Sequence, residues 1–72
     1  MTATKNEMLE GLLQAYKAEV DGYHFYMMAA RSTDDPKGRE VFERLAKDEV
    51  EHARFLKAQH ARDTFWRSPY FL

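Results

Sequence analysis

The chain has 72 residues, no cysteine, and 11 Lys plus Arg against 12 Asp plus Glu. This composition excludes disulfides and any Cys-based zinc or iron–sulfur site, and it leaves no basic face extensive enough for nucleic acid or an anionic membrane. A chain this short is at most one domain, and a lone core of its size rarely supplies more than ~3–5 kcal/mol, so self-association or a bound metal is expected to help.

The opening residues, Met1 to Glu7, lack the apolar core of a signal peptide, and nothing approaches the ~18 apolar residues of a membrane span. A cytoplasmic location is the expectation. Thr4-Lys5-Asn6-Glu7 fits a capping box, which predicts a first helix over about 5–31. Along it Met8, Leu12, Tyr16, Glu19, Tyr23, Tyr26, Met27 and Ala30 recur at the three- and four-residue steps of one helix face. Glu19 alone breaks this apolar stripe.

Ser32-Thr33-Asp34-Asp35-Pro36 reads as the turn, residues 32–35, with Asp35 capping a second helix that opens on Pro36 and runs to about 63. Its face carries Val41, Phe42, Leu45, Ala46, Glu49, His52, Ala53, Leu56 and His60. Arg54, Lys57 and Arg62 suit the negative end of the helix dipole. The tail, 64–72, includes Phe65, Trp66, Tyr70, Phe71 and Leu72, and this much aromatic surface is expected to pack on something.

At 100° per residue Glu19 sits mid-stripe, Glu49 is likewise flanked by apolar positions, and His52 lies at the edge of its sector. In a hairpin folded at Asp34, residues whose numbers average near 34 share a height. That places Glu19 opposite Glu49, His52 level with Tyr16, Tyr26 with Phe42, and Tyr23 with Leu45. Carboxylates buried without partners are costly, so two facing glutamates in an apolar seam call for a cation. Glu49-x-x-His52 joined by Glu19 is a mixed oxygen and imidazole set of the kind that suits iron or manganese, with zinc possible. One hairpin offers only three ligands. A two-fold axis doubles them to four glutamates and two histidines for two metal ions, so the expected fold is all-α, an antiparallel two-helix hairpin forming a four-helix bundle by homodimerisation.

Lys47-Asp48-Glu49-Val50-Glu51-His52-Ala53, together with Ala18-Glu19 and the later Tyr26, resembles the rubrerythrin type of the ferritin-like superfamily over about residues 8–60. The resemblance implies iron ligation by Glu19, Glu49 and His52, with two irons per dimer, and it implies a hydrogen-bond donor to those ligands at Tyr26. Rubrerythrins normally hold two such helix pairs in one chain. The single pair resembles the encapsulated ferritins, whose hairpins complete a ferroxidase site across a dimer interface and then assemble into rings. No Cys-rich rubredoxin segment is present, so the internal electron donor of full rubrerythrins is missing and an electron-donor partner is left open.

Other residues have plainer readings. Tyr16 and Tyr23 suit the core, and Met8, Met27 and Met28 suit core filler. His60, ~16 Å along the helix from Glu49, is too far to share an ion, and His24 points to the surface. Arg39-Glu40 and Glu43-Arg44 suit solvated helical pairing. The expected activity is oxidation of Fe(II) by oxygen or peroxide; the alternatives are a non-catalytic helical assembly module or fragment with a structural metal, and iron sequestration inside a larger shell.

Overall fold

The free amides at the start of α1 (Lys5–Ser32) are satisfied reciprocally. The Glu7 amide donates to Thr4 Oγ1 at 3.1 Å and the Thr4 amide donates to Glu7 Oε1 at 3.2 Å, completing the capping box. The computed structural model describes residues 4–66, the side chains of 64–66 excepted. At the far end the chain becomes extended at Thr33, whose N–H still donates to the Ala29 carbonyl at 3.1 Å.

The turn is fixed by its own side chains. Thr33 Oγ1 accepts from the Asp35 amide at 3.2 Å, and Asp35 Oδ1 accepts from the Lys37 amide at 3.3 Å. Pro36 then opens α2 (Pro36–Trp66), where its missing N–H costs nothing. The Arg39 guanidinium donates back to the Thr33 carbonyl at 3.2 Å and ties the first turn of α2 to the end of α1. α2 continues to Trp66, beyond the expected stop near 63, so its last turn holds no basic residue and Arg62 lies short of it. The packing expected of the aromatic tail falls on Phe65, Trp66 and residues 67–72, outside the described side chains.

The described residues are entirely helical apart from the Thr4 cap and the turn, giving an all-α antiparallel hairpin. Tyr26 stacks on Phe42 with ring centroids 6.5 Å apart and planes at 23°, as their shared height requires. Among the described residues only Ala30 and Ala46 are buried, at 4% and 1% exposure. Two small side chains at the contact let the helix backbones approach closely, but they make a thin core.

Several apolar residues predicted for the core stand outside it. Met8 and Met28 are exposed, and so is Val41. Each helix covers only one narrow face of the other, and Met28 stands about 180° from Glu19 around α1. Arg44 pairs with Glu40 at 3.6 Å one turn away, both exposed, and His24 is exposed with its ring edge-on to Tyr23. The Cα radius of gyration is 16.4 Å, against about 11 Å for a compact globule of this length. No helix among the described residues is long and apolar enough to cross a membrane.

Candidate metal centre

Glu19 and Glu49 leave the middle of α1 and α2 at the same height and meet over the seam. His52, one turn beyond Glu49, reaches back so that its Nδ1 lies 3.2 Å from Glu19 Oε2. One ligand atom from each of Glu19, Glu49 and His52 can be chosen so that all lie within 4.8 Å of one another, a separation that one cation can span. The histidine side chain is 61% exposed and Glu19 26%, so the group sits at one edge of the hairpin rather than inside it.

The two carboxylates perturb each other in opposite directions. A hydrogen bond from Glu49 lowers the Glu19 pKa; burial works against that shift, and the His52 hydrogen bond and charge add to it. The same hydrogen bond to Glu19, with burial and the Glu19 charge, raises the Glu49 pKa. The two carboxyl groups are therefore driven apart, Glu49 giving up its proton less readily than Glu19. A cation between them would favour the ionised form of both. Two hard oxygen donors and an imidazole fit iron, manganese or zinc on chemical grounds.

On the opposite flank of the carboxylates lies a groove of about 280 Å³ lined by Tyr16, Glu19, Val20, Tyr23, Glu49, Val50, Ala53, Arg54 and Lys57. His52 does not line it. Setting Glu49 at zero around α2 explains why: Ala53, Lys57, Val50 and Arg54 fall at about +40° to +140°, whereas His52 falls near −60°. His60 lies farther along, in a second groove with Leu12, Leu13, Tyr16, Leu56 and Lys57.

Tyr26, which the resemblance made a donor to the ligands, packs its ring on Phe42 and edge-on to Phe25. Among the described residues its hydroxyl has no hydrogen bond to Glu19 or Glu49. Two features escaped the sequence reading. Arg54 and Lys57 place positive charge in the groove beside the carboxylates. Gly22, one turn after Glu19, lies directly under the Glu49 carboxylate; a glycine in mid-helix at that spacing was the available signal.

No curated protein and no solved structure matches the chain. The family model for rubrerythrin matches residues 10–66, which takes in both helices and all three candidate ligands. Iron is accordingly the metal that membership of this family implies for such a carboxylate and imidazole group. With most of its length matched, the chain belongs to the rubrerythrin family.

Proposed function

We propose that two hairpins associate into a ferritin-like four-helix bundle, bind two iron ions between them, and oxidise Fe(II) with oxygen or peroxide. The observation that carries this reading is the convergence of Glu19, Glu49 and His52 ligand atoms within 4.8 Å. Each chain supplies half of the ligands. Four glutamates then balance two ferrous ions, and two ferrous ions release two electrons, which suffice to reduce oxygen to hydrogen peroxide or hydrogen peroxide to water.

The chain's own residues prepare this chemistry. His52 orients Glu19 from one side, and a cation placed between the carboxyl groups would favour the ionised form of Glu49, whose pKa its neighbour Glu19 raises. The edge carrying His52 also carries Phe25, Val41 and Phe55, which are 62%, 50% and 65% exposed. A partner covering that edge would bury these side chains and dry the site together. A compact monomer of 8.5 kDa exposes about 4,700 Å², whereas the hairpin exposes 6083 Å². The excess of about 1,400 Å² is more than one partner contributes to a standard interface. Tyr26, whose ring lies near the same seam, is proposed to reach the ligands once the bundle forms.

The second reading, a non-catalytic assembly module with a structural metal, is favoured by the same exposed aromatics, which need a partner whether or not iron turns over. Loading Fe(II) anaerobically, admitting air, and following absorbance for wild type and Glu49→Ala separates the two. Rapid oxidation in the wild type, lost in the variant, supports the oxidase. Tight zinc binding without iron oxidation supports the module, and equal oxidation by both proteins sinks the site.

A further inference from the structure

The hairpin carries a local two-fold relationship that the two ligating halves do not complete in the same way. Lys17-Ala18-Glu19-Val20-Asp21-Gly22 on α1 parallels Lys47-Asp48-Glu49-Val50-Glu51-His52 on α2, and antiparallel packing sets Glu19 against Glu49. His52 then falls beside Glu19, as its 3.2 Å contact shows. The position related to His52 on the other helix is Gly22, and it falls beside Glu49.

An ideal Cβ on Gly22 would stand 2.9 Å from Glu49 Oε2, closer than real Cβ contacts allow, and 3.2 Å from Glu49 Cδ, tight enough that the carboxylate would have to give way. The backbone at Gly22 is ordinary right-handed helix, with no positive φ to require glycine. Glycine is a poor residue for a helix interior, so its presence there is explained by the space it leaves rather than by conformation. The three heavy atoms nearest that Cβ all belong to the Glu49 side chain. Gly11, on the same helix, has nothing within 4 Å of its ideal Cβ.

We propose that Gly22 is a positioning residue for the metal centre: its missing side chain leaves a notch in α1 that lets the Glu49 carboxylate lie beside Glu19 and within reach of His52. The inference rests on the proposed metal site. A methyl group in the notch forces the far end of Glu49 aside. Because that end is flexible, the helices need not move, and what is lost is the placement of one ligand rather than the fold.

The test compares wild type, Gly22→Ala, Gly11→Ala, Glu49→Ala, Glu49→Asp and the double variant Gly22→Ala/Glu49→Asp by anaerobic Fe(II) titration, alongside thermal melts of the metal-free proteins. Gly22→Ala is expected to bind Fe(II) about 10–100-fold more weakly while its metal-free form melts no lower than wild type. Gly11→Ala is expected to melt no lower and to bind normally. Shortening the ligand in the double variant Gly22→Ala/Glu49→Asp relieves the clash, so the loss should be smaller than the two single losses combined. Unchanged affinity in Gly22→Ala would overturn the proposal, as would a fall in affinity accompanied by a fall in metal-free melting, or strict additivity in the double variant. If wild type and Glu49→Ala bind Fe(II) equally poorly, the site itself is wrong and the role of Gly22 falls with it, an outcome distinct from normal wild-type binding that Gly22→Ala leaves untouched.

Discussion

His52 Nδ1 and Glu19 Oε2 lie 3.2 Å apart across the hairpin although 33 residues separate them in the chain. This contact joins the helices through groups that both belong to the candidate metal centre. Because His52 is 61% exposed, solvent screens it, and it contributes little to holding the helices together. His52→Ala should therefore leave the helical circular dichroism and melting of the metal-free protein nearly unchanged while weakening Fe(II) binding about 10–100-fold. A large loss of melting temperature with normal iron binding would assign the histidine to the fold instead.

The opposite shifts of Glu19 and Glu49 give the metal-free protein a pH signature. Glu19 has a lowered pKa, so its contribution to stability is present above the ordinary carboxylate value and is lost as pH falls through the lowered one. Glu49 has a raised pKa, so its contribution is present below the ordinary value and is lost as pH rises through the raised one. Thermal melts across acidic pH should peak within the carboxylate range. Glu49→Gln, which keeps a donor toward Glu19 at every pH, should abolish the decline on the alkaline side while also abolishing iron binding.

Metal loading should depend on pH as well. Glu49 must be ionised to ligate a cation and its pKa is raised, so Fe(II) affinity should rise with pH through its titration, with proton release on loading in that window that buffer-dependent calorimetry detects. Affinity that does not vary across that window would mean Glu49 is not a ligand.

Ala46, 1% exposed and one turn before Glu49, sets how closely the helices approach. Ala46→Leu should cost about 1–3 kcal/mol by overpacking and should separate Glu49 from Glu19, reducing both the midpoint of denaturant unfolding and the Fe(II) affinity. Ala58→Leu, at an exposed position on the far side of the same helix, should change neither.

The hairpin was legible in the sequence because its signals are local and redundant. Thr4 and Glu7 announce a cap that the structure contains, Pro36 after Asp35 announces a helix start, and residue numbers averaging near 34 place Tyr26 on Phe42. The edges were not legible. Val41 and Met28 obey helical periodicity or composition but stand outside the contact, since periodicity gives a direction and not the width of the surface a single partner helix can cover. Gly22 was passed over because a residue without a side chain leaves no mark on a hydrophobic stripe. Its meaning appears only when the neighbouring carboxylate is seen above it.

Phe25 and Phe55, 62% and 65% exposed, should lie under the partner chain. Phe25→Glu and Phe55→Glu should each shift the native mass toward the single hairpin and lower iron binding in parallel, without touching a ligand. Iron binding that survives in a monomeric variant would show that one hairpin suffices.

The most direct measurement is native mass spectrometry of the protein titrated with Fe(II) under strict anaerobiosis, which counts chains and metal ions in the same species. Iron should appear in even-numbered assemblies, two ions for each pair of chains, and Glu19→Ala and Glu49→Ala should each remove it. Iron bound one per isolated hairpin, or oligomers that retain iron after both glutamates are replaced, would contradict a metal centre shared between two copies.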